Sequence, residues 1–357
     1  MRYILPLAIP ALGLAGLYRW MSGPGLGKYD AEIPVSFETD PNSEGLAEVH
    51  AYLEENFAKP AEGHKGGEPI ASKRKRFDEA GRARDYDATF TPVSIPTDYG
   101  EMSGEWVTTE NCNPDKRILY IHGGAFTVGS CYSHRPLTVN LARLTGASVL
   151  AINYRLMPEH KRMAGIEDCR TAYDWILDNG PDGPFQADRL VISGDSAGGN
   201  LTLSLLQWAR DTGRRAADAA VCFSPLIDGT FSGKSIRTNL ETDRMLKPLI
   251  GDMFKMPRPL LMAGTWAQTG IRPSDPVVSP IFGRLHDLPP TLIQASSCEI
   301  LYDDAVRYTV KARQEGADVK LQTWSHMPHV WQIFDTMLPE ATAALEQVAD
   351  FVKIQGL

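Results

Sequence analysis

The stretch RLVISGDSAGGNLTLSLL, residues 189–206, decides the predicted fold. It has the pattern of an apolar strand, a turn of small residues and the first turns of a helix. The turn, residues 194–198, fits the G-x-S-x-G pattern, which lifts a serine hydroxyl above the end of a strand. Small residues are needed at both ends of this turn because it brings the strand and helix backbones close together. The stretch therefore predicts a nucleophile, Ser196, at a helix N-terminus whose free N–H groups favour negative charge.

From Tyr86 onward the chain alternates short β-rich runs with helical patterns. Several of the runs are almost continuously apolar, which is typical of strands buried on both faces of a parallel sheet. This alternation predicts a doubly wound, mostly parallel α/β sheet. The candidate strands are ATFTPVSI, RILYIHG, SVLAINY, RLVISG, AAVCFS, TLIQAS and KLQTW, and the candidate helices cover 134–145, 166–179, 197–211, 301–315 and 338–354.

Two regions lie outside this alternation and are predicted to form a helical cap or lid. The second region contains RMLKPLIGDMFKM, whose apolar residues recur at helical spacing and which lies among several methionines. A plain core helix explains this pattern as well, but its insertion between two core strands favours a lid. The predicted cap comprises residues 1–85 and 226–272, and the predicted catalytic core comprises residues 86–225 and 273–357.

A glycine-rich loop, HGGAF at residues 122–126, follows a predicted strand upstream of the serine. Consecutive glycines let backbone N–H groups turn towards a carbonyl oxygen that becomes an oxyanion. We expect the N–H groups of Gly123, Gly124 and Ala197 to converge on that oxygen. His122 is expected to brace the loop by hydrogen bonding and not to act as a base.

These motifs resemble the hormone-sensitive-lipase-like branch of the α/β-hydrolases, the bacterial esterase group related to arylacetamide deacetylases. The sequence departs from the family pattern at Ala125, where many members carry a third glycine, and after His160, where KRMAGIEDC replaces a proline-rich continuation. The resemblance implies an α/β-hydrolase fold with an eight-stranded sheet and a helical cap, and no metal or organic cofactor. The matching motifs are HGGAF (122–126), YRLMPEH (154–160), GDSAGGN (194–200), DPVVSP (275–280) and HMPHVW (326–331), which cover about 100–357 in the family's order.

A serine hydrolase of this fold needs a base and an acid after the serine, in the order Ser, acid, His. His329 is the last histidine and follows the strand-like KLQTW, and the family motif aligns it as the base. His326 lies in the same loop and is interpreted as a loop or surface histidine. A neutral imidazole can accept the serine proton near neutral pH and return it to the leaving group.

The candidate acids lie in SCEILYDDA, residues 297–305, which holds three carboxylates. The preceding strand ends near residue 297, and helical spacing of apolar residues begins near residue 302. Glu299 therefore lies in the loop after the strand and matches the family's acidic position, so it is the predicted acid, with Asp303 as the alternative. Asp303 and Asp304 are expected in the first turn of the helix, where carboxylates cap free N–H groups.

The charge balance excludes some partners: 36 Lys and Arg against 44 Asp and Glu give a net charge of −8, which argues against a nucleic-acid partner. The five cysteines are scattered and show no zinc-ligand spacing, so we expect reduced thiols and no metal. The charged run SKRKRFDEAGRAR, residues 72–84, is predicted to be a solvated helix face because acidic residues directly follow the basic ones.

The N-terminal segment, residues 1–22, leaves several alternatives open. Its apolar run is shorter than the about 20 residues of a membrane span and is interrupted by Pro6 and Pro10. A signal peptide cleaved after Gly13-Leu14-Ala15, a weak membrane anchor, and an apolar cap segment over a pocket or a homodimer surface all fit the pattern. We expect a cytoplasmic protein, with membrane contact and a homodimer left open.

These observations predict a serine carboxylesterase that hydrolyses short- to medium-chain acyl esters, its substrate range being implied by the resemblance. Ser196 is the expected nucleophile, His329 the base and Glu299 the acid. An amidase or deacetylase with the same triad is the alternative within enzymes. A non-catalytic ligand-binding receptor of the same fold is the alternative outside them, although the presence of all three triad residues argues against it.

Overall fold

A computed structural model describes residues 5–58 and 69–357 of the chain. One eight-stranded sheet runs through the molecule in the order β1-β2-β4-β3-β5-β6-β7-β8. Strands β1 and β2 are antiparallel to their neighbours, and all the other pairs are parallel. The predicted α/β-hydrolase fold is thus confirmed. The strands of this sheet are β1 (Thr89–Thr97), β2 (Gly100–Thr108), β3 (Asn113–Ile121), β4 (Ala147–Ile152), β5 (Arg189–Asp195), β6 (Ala219–Phe223), β7 (Thr291–Ser296) and β8 (Val319–Trp324).

Helices cover both faces of the sheet, and those predicted within the α/β alternation lie where the sequence placed them. The exception is α5, which begins at Arg162 instead of residue 166. Arg162 is buried over the ring of Phe126 at 3.6 Å, so this extra turn packs against the core despite its charged first residue. The helices are α1 (Leu5–Ser22), α2 (Glu44–Leu53), α3 (Ile70–Arg82), α4 (Arg135–Thr145), α5 (Arg162–Asp178), α6 (Ala197–Asp211), α7 (Ser235–Thr238), α8 (Leu246–Phe254), α9 (Arg258–Thr269), α10 (Tyr302–Gln314) and α11 (Pro339–Ile354).

Strand β2 was not among the strands predicted from apolar runs. Its sequence, GEMSGEWVT, contains two glycines and two glutamates, which obscure a strand pattern. Yet Met102 and Trp106 are buried, and Glu105 is buried in a pair with Arg135. Gly104 is required because a Cβ there would lie 2.6 Å from the carbonyl oxygen of Ala151. The strand therefore has glycine where the backbones approach closely and glutamate where a buried ion pair forms, so it lacks the apolar alternation that would mark it in the sequence.

The two regions outside the alternation differ in how they meet the sheet. Helices α7, α8 and α9 form an insertion between β6 and β7. In the N-terminal region, the Ser36 N–H donates to the carbonyl oxygen of Thr323 at 2.9 Å, and Phe37 stacks on Trp324 with ring centroids 4.2 Å apart. This extended segment covers the exposed edge of β8. The division into cap and core stays a prediction, and residues 1–4 and 59–68 of the predicted cap lie outside the described residues.

The basic run at residues 72–84 lies within and just after α3, but the expected solvated face is wrong for Arg74. Its guanidinium donates to the carbonyl oxygens of Thr127 and Met157 and forms an ion pair with Glu159 at 2.8 Å. This arginine therefore ties α3 to the loops that follow β3 and β4. The acidic Asp78 also faces inward and accepts a hydrogen bond from the Ser130 hydroxyl at 2.5 Å.

All five cysteines are free thiols. Cys131, Cys169 and Cys222 are buried, and burial raises the pKa of the Cys131 thiol to about 12. Among residues 5–58 and 69–357, no helix combines the length and apolarity needed to cross a membrane.

Candidate active site

Ser196 lies on the turn between β5 and α6, where the parallel strands end. Its φ of +50° is rare for a residue with a side chain, so the backbone is strained there. A Cβ at Gly198 would lie 1.9 Å from the carbonyl oxygen of Ile121, so only glycine fits that position. The Ser196 N–H donates to the carbonyl oxygen of Phe223 at 2.8 Å, which fixes the turn against β6.

Glu299 and His329 form a buried pair. The Nδ1 of His329 lies 2.5 Å from Oε2 of Glu299, and the other carboxylate oxygen accepts the Ser296 N–H at 3.0 Å. A carboxylate at Nδ1 favours the tautomer with its proton there, which leaves Nε2 as an acceptor. Nε2 of His329 is buried, and no described residue is its hydrogen-bond partner. The imidazole is thus oriented by the carboxylate and keeps a vacant basic nitrogen.

The structure brings the loop of His329 to the strand end that holds Ser196. The Val330 N–H donates to the Ser224 hydroxyl at 3.2 Å, and Ser224 directly follows Phe223, the backbone partner of Ser196. The described residues show no hydrogen bond between the Ser196 hydroxyl and Nε2 of His329. Catalytic hydrogen bonds are often long in free enzymes and tighten when substrate binds.

Two opposing effects act on the pKa of His329. Burial lowers the pKa, because a charged imidazolium is poorly solvated there. The hydrogen bond and charge of Glu299, together with the charges of Asp243 and Asp195, raise it and prevail. The pKa of His329 therefore lies above its ordinary value, so the neutral, basic imidazole is lost at a higher pH than for a free histidine.

The three predicted oxyanion donors differ in whether their N–H groups already have an acceptor. The Gly123 N–H donates to Oδ1 of Asp195 at 2.9 Å, and that buried carboxylate also accepts the Tyr120 hydroxyl at 2.7 Å. The structure therefore does not support an oxyanion role for Gly123, because its N–H is already bound to a carboxylate. Gly124 has a φ of +108°, and Ala197 is the first residue of α6, whose N–H has no acceptor within its helix.

His122 lies beneath the glycine loop. Its Nδ1 is 2.7 Å from the carbonyl oxygen of Gly123, and its ring stacks on Tyr154 with centroids 4.3 Å apart. Burial, reinforced by His134, lowers the pKa of His122 to about 3. The ring therefore stays neutral at ordinary pH, which suits the predicted bracing role.

Asp303 and Asp304 lie in the first turn of α10, as predicted, but the expected capping of that helix is wrong. Asp304 accepts the N–H groups of Ile227 and Asp228, each at 2.8 Å, and Asp303 accepts the Ser235 N–H at 3.0 Å. The chain that follows β6 passes the start of α10, and its backbone N–H groups, not those of α10, donate to these carboxylates. Burial raises the pKa of Asp304 well above its usual range.

The sequence interpretation missed Asp243, a buried carboxylate in the insertion. Its Oδ2 accepts the Ile300 N–H at 3.0 Å, and its Oδ1 accepts the Leu246 N–H at 2.8 Å at the start of α8. The sequence signal at this position is that of an ordinary helix start. Only the fold brings it against the residue that follows Glu299, where its charge helps to raise the pKa of His329.

The insertion makes a second contact with the loop that carries Glu299. The side-chain amide of Asn239 donates to the carbonyl oxygens of Ser297 and Glu299 at 2.8 and 3.0 Å. The loop that carries Glu299 is therefore held from the insertion as well as from the sheet.

A serine on a strained strand–turn–helix and a buried carboxylate–histidine pair, placed at one end of this sheet, define a hydrolase with the α/β-hydrolase fold. The chain belongs to the alpha/beta hydrolase fold family, whose model matches residues 118–333, and to its hormone-sensitive-lipase-like branch.

Three similar proteins agree with this assignment. An acetyl-hydrolase of Streptomyces hygroscopicus is 35% identical over 285 residues, covering 80% of this chain and 90% of that protein. An esterase of Acinetobacter venetianus is 35% identical over 236 residues, covering 66% of this chain and 73% of that protein. The crystal structure of an esterase from the bacterial hormone-sensitive lipase family has a TM-score of 0.75 and 31% identity, covering 88% of this chain and 99% of that chain. The chain is a carboxylic ester hydrolase that acts on small-molecule esters.

Proposed function

We propose that Ser196, His329 and Glu299 form the catalytic triad of this esterase, and that it hydrolyses short- to medium-chain acyl esters. The observation that carries the proposal is the buried contact of 2.5 Å between Glu299 and Nδ1 of His329, with Nε2 left unpaired. A carboxylate in this position orients the imidazole and stabilises its charged form, as the acid of a triad does.

In the proposed mechanism the Ser196 hydroxyl oxygen attacks the ester carbonyl carbon and its proton passes to Nε2 of His329. The N–H groups of Gly124 and Ala197 hold the carbonyl oxygen while it carries negative charge. The tetrahedral intermediate then breaks the ester C–O bond, and the imidazolium returns its proton to the departing alcohol. Water repeats the sequence on the acyl-enzyme, and the carboxylic acid leaves.

The insertion is part of the proposed lid, which would shape a pocket for the acyl chain. An apolar cluster in the insertion includes Phe231 and Phe254, with Leu240 and Met253 packed on it, and also contains Ile300. Because Ile300 directly follows Glu299, this cluster begins one residue from the proposed acid. Residues 1–85 and 226–272 together are the proposed cap.

The chain-length range is tested with p-nitrophenyl esters from acetate to palmitate, assayed on the wild type and on Met253→Ala. We expect kcat/KM of the wild type to peak between acetate and octanoate and to fall for longer chains. Removing the Met253 side chain should move the optimum towards longer acyl chains. An optimum at palmitate would contradict the proposed range while leaving the triad untouched.

Matched ester and anilide substrates separate an esterase from an amidase, and we expect kcat/KM to be at least about 100-fold higher for the ester because the amine is the harder leaving group. Labelling with a fluorophosphonate tests the remaining alternative, a non-catalytic receptor. A receptor would leave Ser196 unlabelled.

Asp243→Asn should lower kcat/KM near neutral pH by roughly tenfold, because the loop of Glu299 loses an anchor. Loss of the nearby charge should also move the acid limb of the pH profile to lower pH, since Asp243 helps to raise the pKa of His329. The matched control is Asp252→Asn on α8. Asp252 is exposed and pairs with Lys255, not with the loop of Glu299. A lowered kcat/KM with an unmoved acid limb would reduce Asp243 to a purely structural residue.

A further inference from the structure

The second half of helix α1 exposes apolar side chains to solvent. Every residue from 13 to 20 is exposed, with Leu14 at 68%, Leu17 at 40% and Trp20 at 44% exposure. Met21 is buried and fastens the end of the helix to the protein. An apolar surface of this kind is costly in water and marks an interaction site.

Helix α9 of the insertion continues this surface. Leu260 is 60% exposed and Trp266 is 38% exposed. The rings of Trp20 and Trp266 meet edge to face with centroids 5.3 Å apart, and the Arg258 guanidinium donates to the Tyr18 hydroxyl at 3.1 Å. The two helices therefore form one surface, the α1–α9 face, made of Leu14, Leu17, Tyr18, Trp20, Leu260 and Trp266.

The charged side chains of the two helices are all positive. Helices α1 and α9 contain Arg19 and Arg258 and no Asp or Glu, in a chain whose net charge is −8. Arg272 adds a third cation 5.8 Å from the ring of Trp20. Leucines beside Trp and Tyr with arginines at the rim are typical of segments that lie in the headgroup region of a bilayer.

We propose that the α1–α9 face docks on the surface of an anionic lipid bilayer, with α1 lying in the interface. A second copy of this chain suits the face less well, because laying the same face on itself would bring arginines together with no acidic partner on either helix. An anionic headgroup supplies the missing negative charge. The proposal concerns where the enzyme works and does not depend on the proposed triad.

Docking in this way would bring the insertion to the lipid. Arg258 in α9 donates from Nε to the carbonyl oxygen of Thr230 at 2.7 Å, and Thr230 in turn donates to Asp228. Asp228 is held by Asp304 at the start of α10, five residues beyond Glu299. Esters dissolved in the bilayer would thus meet the protein on the side of the insertion.

The test is sedimentation of the full chain, of verified intact mass, with vesicles of phosphatidylcholine alone or with phosphatidylglycerol added. We expect the wild type to bind the mixed vesicles at least about tenfold more tightly than the neutral ones. Leu14→Glu and Leu17→Glu should each weaken binding by about tenfold or more, and Arg19→Gln should reduce the preference for the anionic lipid. Ile354→Glu, at a leucine-sized side chain 73% exposed on α11, is the control and should bind like the wild type.

Wild-type affinity in the Leu14 and Leu17 variants would overturn the proposal, as would equal loss in Ile354→Glu. Light scattering on the wild type and on Leu14→Glu covers the second-copy alternative: a dimer that Leu14→Glu converts to a monomer, without vesicle binding, would assign the face to self-association. Thermal unfolding confirms that each variant is folded, which is expected because all the substituted side chains are exposed.

Discussion

Ser196→Ala should lower kcat for p-nitrophenyl butyrate by about 10⁵- to 10⁶-fold, which is the loss expected when the nucleophile of a triad is removed. The remaining rate would reflect the oxyanion donors and substrate binding alone. Because alanine and serine suffer the same steric strain at a φ of +50°, the variant should unfold at nearly the wild-type temperature. A large loss of kcat at unchanged stability would thus be a property of the missing hydroxyl.

Ser193→Ala is a matched control for this experiment. Ser193 lies in β5, three residues before the proposed nucleophile, and its buried hydroxyl has no hydrogen-bond partner among the described residues. Removing an unpaired hydroxyl there should leave kcat within a few-fold of the wild type. If Ser196→Ala retained turnover within tenfold of the wild type and still reacted with a fluorophosphonate, the nucleophile would have to be another residue.

The parts of the site that the sequence predicted are those defined by local patterns. The strained turn around Ser196 needs glycine at its ends, and the position of Glu299 follows from where one strand ends and the next helix begins. Both are properties of a few neighbouring residues, so a single sequence displays them.

The parts that the sequence did not predict depend on residues far apart in the chain. The Gly123 N–H meets Asp195, the backbone of Ile227 meets Asp304, and Asp243 meets Ile300. In each case a local feature, a glycine turn or a helix start, already explains the residue type. The sequence therefore gives no sign of the distant partner. Strand β2 was missed for a related reason, because its glycine and glutamate positions are set by neighbouring elements.

Glu299→Gln should lower kcat by about 10⁴-fold with little change in stability. In the wild type one carboxylate oxygen accepts the Ser296 N–H and the other faces Nδ1 of His329. A glutamine has only one acceptor oxygen, and if that oxygen keeps the Ser296 hydrogen bond, its NH₂ group faces Nδ1. Nδ1 must then become an acceptor, which puts the ring proton on Nε2 and removes the base from the side that faces the substrate.

The pH dependence separates this effect from simple unfolding. In the proposed mechanism turnover requires neutral His329, so kcat/KM should fall as the pH falls through the pKa of that residue, which Glu299 helps to raise above its ordinary value. The acid limb of the wild type should therefore lie above a pH of about 6.5, and that of Glu299→Gln should move to lower pH. Asp303→Asn and Asp304→Asn are the matched controls: each keeps an acceptor oxygen for its backbone N–H, costs about 0.5–2 kcal/mol of stability at most, and leaves the acid limb in place. If Asp303→Asn instead abolished turnover and Glu299→Gln did not, the acid of the triad would lie at the start of α10.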